Sequence, residues 1–180
     1  MSTAAPTHLT LDQLEAKLDE IRLSPSTGGR LHGIVIRPTP GERVILQESP
    51  VSPEGGVHGD RWTTTGKSAE VQGTLMNSRA AEVIAQSPDR WPLAGDQLYV
   101  DLDLSAGNLP PGTLVTIGSA VFEITATPHN GCAKFAARFG NDALGFVNSP
   151  VGKRMHLRGI YAKVIKAGTI RVGDAVQKVA

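Results

Sequence analysis

Leu11, Leu14, Leu18 and Ile21 recur every three or four positions, with Asp12, Glu15, Lys17, Asp19 and Glu20 in the places between. That spacing gathers the apolar side chains on one face of a helix over residues 10–22. Thr10 and Gln13 form a capping box at its start, and Leu9 and Leu14 stand as the two halves of a hydrophobic staple. Ser24-Pro25-Ser26-Thr27-Gly28-Gly29 then breaks the pattern and reads as a linker. Residues 1–28 are therefore a helix and linker, packed on residues 29–180 or on a partner.

Beyond Arg30 the period changes. Short β-branched runs at residues 32–37, 43–46, 113–117, 121–125, 160–165, 169–172 and 175–179 are bounded by Gly and Pro and read as strands. Gly118-Ser119-Ala120 suits a tight hairpin loop, and Lys166-Ala167-Gly168 suits a second. Helical spacing returns at residues 78–86 and 132–139, the latter closed by Gly140. Many strands without βαβ alternation predict a mainly β fold, a closed or partly open barrel rather than a parallel sheet.

The chain has 180 residues, 40% of them hydrophobic and 19% charged, enough for one domain with a real core. No apolar run approaches the ~20 residues of a membrane helix. Ser2-Thr3-Ala4-Ala5-Pro6-Thr7 offers neither a basic nor an apolar leader region, so no signal peptide is expected. One cysteine cannot form an internal disulfide, and a free thiol fits a reducing compartment, the cytoplasm.

The net charge of +1 conceals an asymmetry. Residues 129–180 carry nine Lys and Arg against two acids, while residues 40–128 carry five against eleven. A cationic site for an anionic ligand is one reading and a solvated basic face is the other. Nucleic acid is not expected, because only Phe135, Phe139, Phe146 and Tyr161 offer stacking surfaces and no recognition-module signature accompanies them.

Three segments could carry chemistry. Glu54-Gly55-Gly56-Val57-His58-Gly59-Asp60-Arg61-Trp62 combines flexible backbone with a histidine, a carboxylate and a guanidinium, and reads as a ligand loop or a plain tight turn. In Pro128-His129-Asn130-Gly131-Cys132-Ala133-Lys134-Phe135 the cysteine stands in the first helical turn. There the helix dipole, Lys134 and a protonated His129 would favour its thiolate. Against this, Cys132, Phe135, Ala136 and Phe139 share one helical face, so the cysteine could instead complete a buried stripe. Lys153-Arg154-Met155-His156-Leu157-Arg158 suits phosphate or carboxylate, or a solvated approach to a strand. The scattered His and single Cys lack the paired spacing of structural zinc.

The order of these segments resembles the MOSC family, named for the C-terminal domain of molybdenum cofactor sulfurases. The resemblance runs from about Arg30 onward. It rests on Gly55 to Trp62, Ala94-Gly95-Asp96-Gln97-Leu98, Pro110-Pro111-Gly112 and Gly131-Cys132-Ala133-Lys134-Phe135. It ends with Leu157-Arg158-Gly159-Ile160-Tyr161-Ala162 and Val172-Gly173-Asp174. It implies a MOSC-type β-barrel whose cysteine projects into a cleft, and one of two chemistries there.

In the first chemistry, Cys132 ligates the molybdenum of a pyranopterin molybdenum cofactor. The protein then reduces N-hydroxylated small-molecule substrates with electrons from a partner reductase. In the second, Cys132 carries a persulfide for metal–sulfur centre or cofactor assembly, supplied by a separate cysteine desulfurase. An anion-binding module with a packed cysteine is the third alternative. The resemblance puts cofactor binding on His58, Asp60, Arg61, Asp96, Gln97, His129, Asn130, Lys134, Arg154 and Arg158. Relatives often carry Glu-Asn where this chain has Asp96-Gln97. The best-known reductases also differ over Lys134-Phe135-Ala136-Ala137-Arg138. No pyridoxal phosphate is expected on this chain alone.

Overall fold

The computed structural model describes residues 6–179, so the leader reading of residues 2–5 lies outside the described residues. Two short helices come first, α1 (Leu11–Glu15) and α2 (Leu18–Arg22). Thr10 caps α1 in the expected reciprocal box with Gln13. The single helix expected over residues 10–22 is broken at Ala16–Lys17. The break lets Leu14 and Ile21, both buried, reach different neighbours on the body of the protein. The segment therefore packs on its own domain.

Eleven strands follow among the described residues, with about as many residues in helices as in strands. They are β1 (Gly29–Ile36), β2 (Val44–Leu46), β3 (Glu48–Ser52), β4 (Gly56–Val57), β5 (Gly73–Asn77) and β6 (Leu98–Asp101). After these come β7 (Leu114–Ile117), β8 (Ala120–Ile124), β9 (Ile160–Lys166), β10 (Gly168–Arg171) and β11 (Ala175–Lys178). The ring β11-β7-β8-β9-β5-β6-β1 closes where Gly29 and Arg30 pair with Val176 and Ala175, giving a seven-stranded barrel. Strand β2 extends β1 outward, and β10, β3 and β4 form a small separate sheet.

Two details differ from the sequence reading. Strands β5 and β6 run parallel, joined through α3 (Ser78–Ala85) and a 3-10 helix at Pro88–Ala94, so one βαβ unit is present. A parallel pair needs such a crossover. The hairpin expected at Lys166–Gly168 does not form, because β9 already has β5 and β8 on its two edges. Strand β10 pairs instead with β3, Thr169 opposite Pro50. The hairpin at Gly118 does form between β7 and β8, with Gly118 at φ 56° supplying the left-handed turn.

Two cores share the barrel wall. Leu31, Leu75, Leu98, Val100, Val115, Phe122 and Ala162 fill the interior. Val35, Met76 and Tyr99 point outward from the same strands and pack under the helices with Ile84, Phe135 and Phe146. Those helices include α4 (Ala133–Phe139), α5 (Asn141–Asn148) and α6 (Pro150–Arg154), packed in succession between β8 and β9. No helix among the described residues is long and apolar enough to cross a membrane.

Candidate functional site

Cys132 is the N-cap of α4, in an extended conformation (φ −131°, ψ 178°), one residue ahead of the helix rather than within its first turn. Phe135 and Phe139 are buried, but Cys132 is exposed. The packed-cysteine reading therefore fails: the extended cap swings the thiol off the helical face that its spacing would share. The thiol pKa lies below its ordinary value. The main cause is the Phe135 N–H facing the sulfur, helped by the Lys134 N–H and by the charges of Arg158 and Lys134. Desolvation opposes them. No closed cap bond forms, so the sulfur stays free to bind elsewhere.

The cysteine opens into a cleft of about 260 Å³. Arg61, His129, Lys134 and Arg158 line it as the sequence suggests, together with Tyr161. Arg37, Arg43, Lys67 and Arg138 also line it, unforeseen as site residues, although Arg138 belongs to the basic C-terminal segment. No carboxylate appears in the wall.

Four of these arginines are held by one turn of backbone. Arg43 Nε donates to the Pro92 carbonyl at 3.1 Å and Arg138 Nη1 to Leu93 at 2.8 Å. Arg158 Nη2 donates to Ala94 at 2.8 Å and Arg37 Nη1 to Gly95 at 3.3 Å. The last carbonyls of a helix have no partner inside it, and they carry the negative end of its dipole. The end of the Pro88–Ala94 helix thus gathers four guanidiniums around the cleft. Their crowding shows in Arg43, whose pKa is lowered by burial first and then by Arg138, Arg37 and Arg61. A site this rich in cations favours an anion.

The acids near the cleft serve its arginines. Asp60, nearly inaccessible, takes Arg37 in a two-pronged pair at 3.0 Å and accepts the Arg37 and Trp62 N–H groups. It positions Arg37 rather than facing a ligand. Asp96, fully buried, pairs through Oδ2 with Arg158 Nη1. Arg158 also lies over the Phe135 ring, 5.1 Å from its centroid. His129 packs at a tilt against Tyr161, ring centroids 4.6 Å apart. Its pKa falls to about 4, chiefly through burial, with Arg158 and Arg37 lowering it further and Asp96 opposing.

The remaining candidates lie elsewhere. Gln97 is buried, its Oε1 accepting from Thr74 N at 2.9 Å and Thr74 Oγ1 at 2.6 Å, a clasp between β6 and β5. His58 bonds Ser52 Oγ at 2.9 Å in its own loop. Asn130 borders a different hollow, and Arg154 lines another with Arg22 and Asp103. The described residues hold no group of three His, Cys, Asp or Glu fit to bind a metal by themselves.

The family model of the MOSC domain matches residues 78–177, which include Asp96, Cys132 and Arg158 but not the Gly55–Trp62 loop. Among solved structures, a hypothetical protein superposes with TM-score 0.60 at 18% identity, over 84% of this chain and 68% of its own. YiiM from Escherichia coli gives 0.56 at 16%, over 84% and 70%. YuaD from Bacillus subtilis gives 0.56 at 17%, over 82% and 93%. At such identities the likeness is one of fold. No curated protein matches the chain.

Proposed function

The chain belongs to the MOSC domain family, and from that premise we propose that it binds a molybdenum pyranopterin in the cleft and reduces N-hydroxylated compounds. One observation carries the proposal: an exposed cysteine, its thiolate favoured, opens into a cleft lined by cations. The donor set fits the group. A soft thiolate suits a soft metal, and a single protein ligand suits a metal whose other ligands arrive with its organic cofactor. Arg61, Arg37 and Lys134, which line the cleft, would take its anionic phosphate through charge-assisted bonds. When bound, the molybdenum supplies two-electron redox chemistry.

The chain's own residues would hold and shield the reactants. Cys132 would bind, the arginine collar would orient, and Tyr161 and Arg158, the latter held by the buried Asp96 behind it, would line the cleft beside them. Reduction of an N-hydroxyl group breaks its N–O bond with two electrons and two protons and releases water. Both electrons must come from a partner reductase, in a compartment reducing enough to keep Cys132 free, such as the cytoplasm. The test is elemental analysis of protein made in a host that synthesises the cofactor. Molybdenum near one per chain in the native protein, and none in Cys132→Ser, is the expected result, with loss of N-hydroxyl reduction alongside. Native protein that holds no molybdenum under those conditions overturns the reading.

The low thiol pKa and open exposure of Cys132 also suit a persulfide carrier, since persulfidation caps accessible, acidic thiols. A cysteine desulfurase with its substrate would then add the mass of one sulfur atom at Cys132 in protein free of molybdenum, and an acceptor would receive it.

A further inference from the structure

His129 and Arg158 form a wall with the Cys132 cleft on one side and a second hollow, also about 260 Å³, on the other. Leu109, Ile124, Val147 and Ile160 make up much of its apolar lining. Lys153 and Arg158 are its cations, His156 joins His129 in its lining, and no carboxylate borders it. We propose that this hollow is a second ligand site, separate from Cys132, for a small hydroxylated aromatic acid.

Each part of that ligand answers a feature of the wall. The apolar lining takes a flat hydrocarbon body, as small-molecule pockets usually do. The acid group answers Lys153 and Arg158. Arg158 spends Nη1 on Asp96 and Nη2 on the Ala94 carbonyl, which leaves its buried Nε without a partner. A buried N–H left unpaired is costly, and a carboxylate would repay it. The hydroxyl answers His156. His156 Nδ1 donates to the Leu104 carbonyl at 2.7 Å, which leaves its other ring nitrogen, Nε2, to meet the hydroxyl.

The backbone is bent to achieve this. His156 is one of two non-glycine residues with positive φ among those described, at 49°, and Gly159 follows at 104°. These two turns bracket Leu157 and Arg158 and bring His156 and Arg158 to the same hollow. Such conformations persist where the surroundings impose them, and they gather at binding sites.

The proposal is independent of any cofactor at Cys132. The test titrates 4-hydroxybenzoate into the full chain, following binding by calorimetry and by backbone amide shifts. We expect saturable binding, with shifts at residues 124–130 and 153–160. Lys153→Ala should weaken it about tenfold, the factor of one lost charge-assisted contact. Ala126→Trp, which fills the hollow from an exposed position, should abolish it. The neutral 4-hydroxybenzyl alcohol should bind more weakly than the acid, and this comparison in native protein stands even if the tryptophan variant fails to fold. The proposal is overturned if binding is absent up to the probe's solubility limit. It also fails if binding survives Lys153→Ala and Ala126→Trp but is lost in Arg61→Ala, which would place the acid in the cleft.

Discussion

Asp96 Oδ1 and His129 Nδ1 face each other 3.7 Å apart, both buried and both without a hydrogen-bond partner. The distance is too long for a hydrogen bond, though an ion pair would form there if the imidazole were charged. Burial keeps it neutral: its pKa falls to about 4. The Arg158 charge, already committed to the other oxygen of Asp96, helps hold it there.

That depression has a consequence for stability. In the unfolded chain His129 would take up its proton near pH 6.5, but in the folded protein only near pH 4. As pH falls through that window the unfolded state binds more protons than the native state, so stability is lost. The full effect approaches about 3 kcal/mol. Urea unfolding of the native protein and of His129→Gln, from pH 7 down to pH 4, should show a shallower decline in the variant. Identical declines would mean that His129 is not the group responsible.

Cys132 should react with iodoacetamide at a pH below that needed for free cysteine, because backbone N–H groups and nearby cations favour its thiolate. The Arg158 and Lys134 contributions are electrostatic, so added salt should move the midpoint upward. The Phe135 N–H contribution, the largest, should persist in salt. A midpoint at or above that of free cysteine would exclude an activated thiol.

Some of this was legible in the sequence and some was not, for physical reasons. The N-terminal cap, α3, the helix after Cys132 and the hairpin at Gly118 follow from local patterns that their own residues satisfy. Strand β5 left no such pattern, because all five of its residues are buried, Leu75 inward and Met76 outward, and two-sided burial erases alternation. The cleft divides in the same way. Cys132 and Lys134 adjoin in sequence, whereas the arginine collar joins positions 37, 43, 138 and 158 to four successive carbonyls. Arg154, by contrast, is close to Arg158 in sequence and ends on another surface, because it closes α6 and the His156 turn comes between them.

Two glycines should respond to alanine in opposite directions. At Gly159, φ is 104°, and an added Cβ would lie 2.6 Å from the Leu75 carbonyl oxygen and 3.3 Å from Asp96 Oδ1 and His129 Nδ1. Strain and collision with backbone should lower Tm by roughly 5–10 °C. Gly145 is exposed within α5, with open space at its Cβ position. There alanine should stabilise by about 0.5–1 kcal/mol, through the smaller entropy loss on folding. Calorimetric scans of the two variants check both, and a neutral Gly159→Ala would show that the backbone there relaxes freely.

Three arginines that look equivalent in sequence should separate by experiment. Arg61 lines the cleft at partial exposure and forms no side-chain ion pair among the described residues, so Arg61→Ala should reduce cofactor retention with little change in Tm. Arg154 is exposed on a different surface, so Arg154→Ala should change neither. Arg158 is buried against a fully buried carboxylate. Removing it leaves the Asp96 charge uncompensated, which should cost about 3–5 kcal/mol. Its loss should therefore appear first as a large fall in Tm, and only then as lost cofactor. Molybdenum content and melting temperature, measured together on the three proteins, give the comparison. Equal cofactor loss from Arg61→Ala and Arg154→Ala would mean that binding follows the overall basic charge rather than this cleft.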